Sequence, residues 1–251
     1  MLHRHPHKAL VLGPNGRLGR AILDNQFAFF WHKLIPIQLD NIEDVDFLAE
    51  YKLTKSDIII NCAAYTDVQK SQDDMDKCEM ANTILPYMLS IAAQEIPFKL
   101  ILFSTDYSVR PEFKDNTYTQ SKKNMEILCN QNSLIIRMSN LIGEGDKKNT
   151  NIGSKLLNNK NEVLTVGDIY IYPTFLDPQT ILRLSQIMLS KGRGLVNAFG
   201  PAYKLETFAR KLLYMHNIKK DIHVNSNIKI EKIKNKHLVF PLSWKALKDV
   251  E

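Results

Sequence analysis

The chain has 251 residues, 44% of them apolar, enough for one large α/β domain or for one domain with a small additional lobe. Its apolar runs, such as 57–64 and 100–103, are strand-length and fall far short of the roughly 20 residues a membrane span needs. The formal charge of +6 is carried by dispersed lysines, with local excess at Lys122-Lys123, at Lys147-Lys148 and between Lys219 and Lys236. Aromatic residues do not interleave with them as in single-strand nucleic-acid binders, so a solvated surface or an anionic small substrate accounts for the charge better than nucleic acid does.

In chain order, the N-terminal segment carries His3, His5 and His7 but no long apolar stretch and no neighbouring cysteine or carboxylate, so neither a signal peptide nor a metal site is expected. Lys8 to Leu12 is a short apolar strand. A helix is expected from Arg17 to about Phe29, a strand over 34–39, a short acidic amphipathic helix over 40–51 and a buried β-branched strand over 57–61. Gln69 to Glu95 reads as helical, in two turns and then a longer helix, with Pro86 marking a kink or a start. Lys99 to Ser104 is a strand, Tyr118 to Asn130 a helix and Ser133 to Met138 a strand. This alternation, with continuously apolar strands, predicts a Rossmann-type, doubly wound parallel sheet over residues 1–142.

Beyond Gly143 the texture changes. Residues 143–161 are polar and read as a loop with a short helix, Leu164 to Val166 as a strand, and 177–189 and 205–215 as amphipathic helices. A strand is expected within 219–236 and a final short helix around Trp244. Residues 143–251 are thus expected to form a smaller substrate-binding portion interleaved with the first. Cys62, Cys78 and Cys129 lack disulfide or metal spacing, which suits reduced thiols in a cytoplasmic protein.

Gly13-Pro14-Asn15-Gly16-Arg17-Leu18-Gly19 lies between the first strand and the first helix. Glycines there permit a tight turn and let backbone N–H groups approach a diphosphate at a helix N-terminus, the chemistry of a dinucleotide cradle. Asp40, near the end of the second strand, either grips a ribose or caps the following helix. Downstream, Tyr118-Thr119-Gln120-Ser121-Lys122 places a phenol and an ammonium on one helix face. The lysine is expected to lower the phenol's pKa and to hold the nicotinamide ribose, leaving Tyr118 as the proton donor. Ser104 and Thr105 follow a buried strand, where a hydroxyl either forms a turn or points into the ligand crevice; Thr105, or else Ser104, is expected to bind the substrate carbonyl.

These stretches together (13–22, 57–72, 103–107, 118–122 and 137–145, with weaker echoes at 164–175 and 243–247) resemble the dTDP-4-dehydrorhamnose reductase family of the extended short-chain dehydrogenases. The resemblance implies reduction, by NADP or NAD in its reduced form, of the keto group of a nucleotide-activated deoxysugar, and it allows a homodimer. It implies that Gly13, Asn15, Gly16, Arg17, Leu18 and Gly19 line the diphosphate and that Asp40 and Asn41 sit at the adenine end. Ala63, Ala64, Tyr65 and Thr66 would run along the cofactor, with Thr105, Tyr118 and Lys122 catalytic. Ser104, Asp106 and Asn140 would face the sugar, and Asn82 would support the lysine through water. The chain departs from the family in three places, one of them a C-terminal part that is short and lacks the usual Arg-Pro pair. Thr105 and Tyr118 are only thirteen positions apart, without the usual aromatic-glycine turn between them, and Asn140 stands where the family often has tryptophan. Two alternatives are a non-catalytic dinucleotide-binding regulatory subunit and an epimerase or dehydratase of the same superfamily.

Overall fold

Residues His7–Leu12 form the first strand, β1, whose last four residues are fully buried and alternate between two apolar layers: Ala9 and Val11 face one, Leu10 and Leu12 the other. A strand buried on both sides has no polar face to show, hence its unbroken apolar sequence. β3 (Ile58–Asn61) lies parallel on one side of β1 and β2 (His32–Ile37) on the other. The computed structural model describes residues 7–39, 47–143 and 151–233, with the backbone of 238–239. His3, His5, residues 40–46 and Trp244 lie outside the described residues.

The sheet grows past β3 through β4 (Lys99–Thr105) and β5 (Ser133–Met138), then takes two strands from late in the chain, β9 (Gly194–Phe199) and β12 (Leu238–Val239). Its order is β12-β9-β5-β4-β3-β1-β2, with every neighbouring pair parallel. This is the doubly wound Rossmann arrangement, and its strand order reverses at β1, where ligand crevices form. β9 went unread in the sequence because four of its six residues are only partly buried or exposed, so Gly194-Leu195-Val196-Asn197 lacks a continuous apolar signal.

One face of the sheet is covered by α1 (Arg17–Asp24) and α7 (Pro178–Ser190), the other by α2 (Phe47–Tyr51), α4 (Leu85–Glu95) and α5 (Thr117–Cys129). α1 stops well short of Phe29. At Asn25 the backbone leaves the helix and the side-chain carboxamide of Asn25 donates to Ala21 O at 2.8 Å; a 3-10 turn, Gln26–Phe29, then buries Ala28 and Phe29. The expected 69–95 helix is likewise segmented. A 3-10 turn at Lys70–Gln72 precedes α3 (Met75–Glu79), and five π-helical residues, Met80–Ile84, join it to α4, which carries Pro86 in its first turn. A proline ring crowds the carbonyl four residues back, and a widened turn relieves it.

A third apolar cluster belongs to a smaller layer of α6 (Ile152–Leu157), β7 (Val163–Ile171), β10 (Tyr203–Lys204), α8 (Leu205–Met215) and β11 (Asp221–Ile230). β7 is three times the length expected, because its second half continues against β10 and β11 through half-buried residues. A two-stranded link, β6 (Leu141–Ile142) with β8 (Thr174–Phe175), ties this layer to the end of β5. No helix among the described residues is long and apolar enough to cross a membrane.

Asp57, just before β3, fastens the N-terminal edge of the sheet. It accepts from Lys8 N at 2.6 Å, Thr54 N at 2.7 Å and Thr54 Oγ1 at 2.9 Å. Burial alone would raise its carboxyl, but these donors and the Lys8 charge hold it below its ordinary value. A depressed carboxylate contributes stability above its unfolded pKa and loses it as pH falls through the folded one, so the contribution fades below about pH 4. Asp57→Asn, whose amide must turn an NH₂ toward one set of donors, should cost about 1–3 kcal/mol in urea unfolding at neutral pH. The gap from wild type should narrow as pH drops below about 4; a gap independent of pH would refute the charge's role.

Candidate active site

The glycine turn closes as its spacing demands, but its three glycines do different work. Gly13 has φ +70°, and a Cβ there would lie 2.6 Å from Ala63 N; a Cβ on Gly19 would lie 2.3 Å from Gly13 O. Both are excluded by the chain's own packing. Gly16 caps α1 at φ −72°, and a Cβ would meet only Gly13 O at 3.4 Å, an ordinary contact. Its open side therefore faces the crevice, where a glycine is needed only if something else must come close. Leu18 turns its side chain into the core beneath the sheet, leaving only its backbone near the turn.

The crevice, about 660 Å³, runs over the C-terminal ends of β1, β2 and β3. Gly13, Asn15 and Gly16 form one wall; Ala63, Ala64 and Tyr65 run along its floor with Cys62. Thr66 is exposed beyond these residues. The opposite wall is Asp76, Lys77, Met80 and Ala81, from α3 and the π-helical turn. Sequence reading missed this wall. The i, i+4 spacings 76/80 and 77/81 put these residues on one side of a helix, but nothing local says that side meets the crevice. Gln38 and Leu39 close the end near Asn15, whose amide donates to Gln38 Oε1 at 2.9 Å. Asp40 and Asn41 lie outside the described residues. Asn82, fully buried in the π-helical turn, pairs with the backbone of Tyr65 at 3.0 Å in both directions and donates to Ser121 Oγ at 3.1 Å. It thus pins the floor to α5, with no direct bond to Lys122.

Outside this lining, where β4 meets α5, the predicted trio is brought together. Thr105 ends β4, buried; its hydroxyl accepts from Tyr107 N at 3.3 Å and lies close enough to the Tyr118 phenol to favour that group's charged form. Tyr118 enters from the first turn of α5, which Asn116 caps by accepting from Thr119 N at 3.2 Å. Its ring meets Tyr107 edge-on at 6.3 Å, and Tyr107 stacks on Phe113 at 3.8 Å. The shortened 108–117 segment therefore folds back on the tyrosine as two 3-10 turns. Lys122, buried, donates from Nζ to Phe103 O at 3.0 Å. The expected lowering of the phenol by the ammonium does not appear. Burial pushes Tyr118 well above the ordinary tyrosine range, partly offset by Thr105, and burial pulls Lys122 down to about 8. At neutral pH the phenol keeps its proton, as an acid must before it acts.

The residues expected to face a sugar are more engaged with the chain itself. Ser104 Oγ donates to Glu126 Oε1 at 2.5 Å, so Thr105 is the hydroxyl that meets Tyr118. Asp106 is buried with its Oδ2 2.9 Å from Arg110 Nε. Arg110 also donates to Tyr170 O at 3.1 Å and lies 5.2 Å over the Tyr172 ring, which fastens the shortened segment to β7. Burial raises the Asp106 carboxyl against the pull of Arg110. Asn140 sits at φ +41°, a conformation asparagine tolerates and a bulky side chain does not, and its carboxamide oxygen accepts from Ser139 Oγ at 3.0 Å and Tyr172 N at 3.2 Å. Asparagine in the family's tryptophan position thus sets the turn into the smaller layer.

A family model described as the RmlD substrate binding domain matches residues 7–184. A dTDP-4-dehydrorhamnose reductase of Mycolicibacterium smegmatis is 30% identical over 113 residues, 44% of this chain and 34% of that protein. The spore coat polysaccharide biosynthesis protein SpsK of Bacillus subtilis is 28% identical over 185 residues, 67% of this chain and 65% of that one. The matches thus span less than two thirds of either relative. The crystal structure of a dTDP-4-dehydrorhamnose reductase from Bacillus anthracis in complex with NADP shares the fold, with a TM-score of 0.75 at 23% identity over 88% of this chain and 85% of that one.

Proposed function

The chain belongs to the RmlD substrate binding domain family, and from that membership we propose that it reduces the keto group of a nucleotide-linked deoxysugar with NADPH or NADH. The observation that carries this reading is that Tyr118 and Lys122 of α5 both lie against the C-terminal end of β4, Tyr118 beside Thr105 and Lys122 on the Phe103 carbonyl. The curated relative named dTDP-4-dehydrorhamnose reductase supports the substrate class, and the NADP held by a protein of the same fold supports the cofactor.

The residues present fit a dinucleotide. Gly16 leaves room for a diphosphate at the N-terminus of α1, where backbone N–H groups and the helix dipole favour negative charge. Asn15 and Gln38 offer amides at one end, and Lys122, on the Phe103 carbonyl, would supply an ammonium for ribose hydroxyls. When bound, the reduced nicotinamide supplies hydride. Thr105 hydrogen-bonds the substrate's carbonyl oxygen, and Tyr118, protonated through burial, delivers its proton to that oxygen as the carbon is reduced. Both ligands are metabolites of the cytoplasm, the proposed location.

The test is loss of NADPH or NADH absorbance on adding a nucleotide-linked 4-keto-6-deoxysugar, with one reduced sugar formed per cofactor oxidised. Tight dinucleotide binding without oxidation by any such sugar would instead mark a non-catalytic binding subunit.

A further inference from the structure

Three residues spaced one turn apart on α5 meet three consecutive residues at the C-terminal end of β4. Tyr118 lies beside the hydroxyl of Thr105, Lys122 takes the carbonyl of Phe103 and Glu126 the hydroxyl of Ser104. The third contact is ionic. Glu126 is buried, and both its carboxylate oxygens are engaged by Arg137 on β5, Nε to Oε1 at 2.7 Å and Nη2 to Oε2 at 2.5 Å. Arg137 in turn donates from Nη1 to Asn197 on β9 at 3.3 Å. The network thus runs from helix to three adjacent strands directly behind the Thr105–Tyr118 contact. A buried ion pair is a poor way to gain stability, since apolar side chains of similar volume do as well or better. What it supplies instead is direction and charge.

We propose that Glu126 is a positioning residue of the reaction: it fixes the register of α5 on β4 and provides the negative charge against which Lys122 remains an ammonium. The groups facing Lys122 are Cys78 from α3, Cys62 from the segment after β3, the Phe103 carbonyl from β4 and Glu126 from its own helix. Glu126 is the carboxylate among them, one turn away, where side chains on a helix meet. Arg137 tempers it: the guanidinium takes up part of the field that Glu126 directs at Lys122.

This rests on the reading of Lys122 as catalytic, yet its test needs no turnover. In the ligand-free protein, the Lys122 Nζ titration is followed by NMR on ¹⁵N-lysine-labelled chain, with the resonance assigned by its loss in Lys122→Arg. The wild type should titrate at about 8. Glu126→Gln should lower the midpoint by about one pH unit, and Arg137→Gln should raise it. A merely structural network would not shift the two variants in opposite directions. Movement of both in the same direction, or of neither, overturns the proposal; if one variant does not fold, the sign shown by the other decides. Absence of turnover on keto-sugars with these opposite shifts intact would count against the proposed reduction and leave Glu126's role standing.

Discussion

Tyr118→Phe should lower turnover of a nucleotide-linked keto-sugar by about 10³-fold while leaving dinucleotide affinity within about twofold of wild type. The substitution removes one oxygen and little else. The ring is held from outside the crevice by Tyr107, itself stacked on Phe113, and those contacts do not involve the hydroxyl. What disappears is the hydroxyl beside Thr105 and the proton delivered to the carbonyl oxygen. Without it, the developing alkoxide must be met by water or by the Thr105 hydroxyl alone, and the loss appears in kcat because the interaction exists only in the transition state. The pH dependence carries a sign. Because burial raises the phenol far above Lys122 at about 8, the wild type should stay active through neutral pH and lose activity first as Lys122 gives up its proton, a limb that the residual rate of Tyr118→Phe should keep. Steady-state kinetics, with dinucleotide binding followed by fluorescence, read both parts. Equal rates in wild type and variant would remove Tyr118 from the chemistry.

The second large effect separates two glycines three positions apart. Gly13→Ala should destabilise the fold by roughly 3–5 kcal/mol, since it asks an L-residue for φ +70° and drives a methyl to 2.6 Å from Ala63 N. Gly16→Ala should change thermal stability by less than about 1 kcal/mol, because φ −72° suits alanine and its nearest neighbour stands at 3.4 Å. Yet the methyl points to the side a diphosphate would approach, so dinucleotide affinity should fall about 10- to 100-fold, or ~1.4–2.8 kcal/mol. Thermal unfolding with and without dinucleotide separates the cases: a stable Gly16→Ala that has lost its ligand-induced shift is the expected result. Retention of full affinity would mean that the turn is only a turn.

The sheet was legible because strands buried on both faces leave no alternative to unbroken apolar runs: β1, β3, β4 and β5 all stand within a residue or two of where the sequence put them. β9 was not, since much of it is only half-buried. Local chemistry also hid the segmentation of the long helical stretch. Pro86 announces some interruption, but the width of the turn before it depends on Asn82 being drawn to the Tyr65 backbone and Ser121. The same holds for Ser104 and Thr105, adjacent hydroxyls that both meet α5; that Glu126 takes Ser104 and leaves Thr105 beside Tyr118 follows from where α5 lies, not from either residue.

By itself, the sequence determined the order of elements, the glycine turn between the first strand and helix, and the presence of a phenol and an ammonium on one helix face, because each depends on spacing within a few residues. Only the tertiary structure decided that α3 walls the crevice, that Asp106 is bound up with Arg110 and Asn140 with the turn between β7 and β8, and that burial sets the phenol. Those outcomes depend on desolvation and on contacts between segments far apart in the chain, and neither quantity is a property of any short stretch of residues.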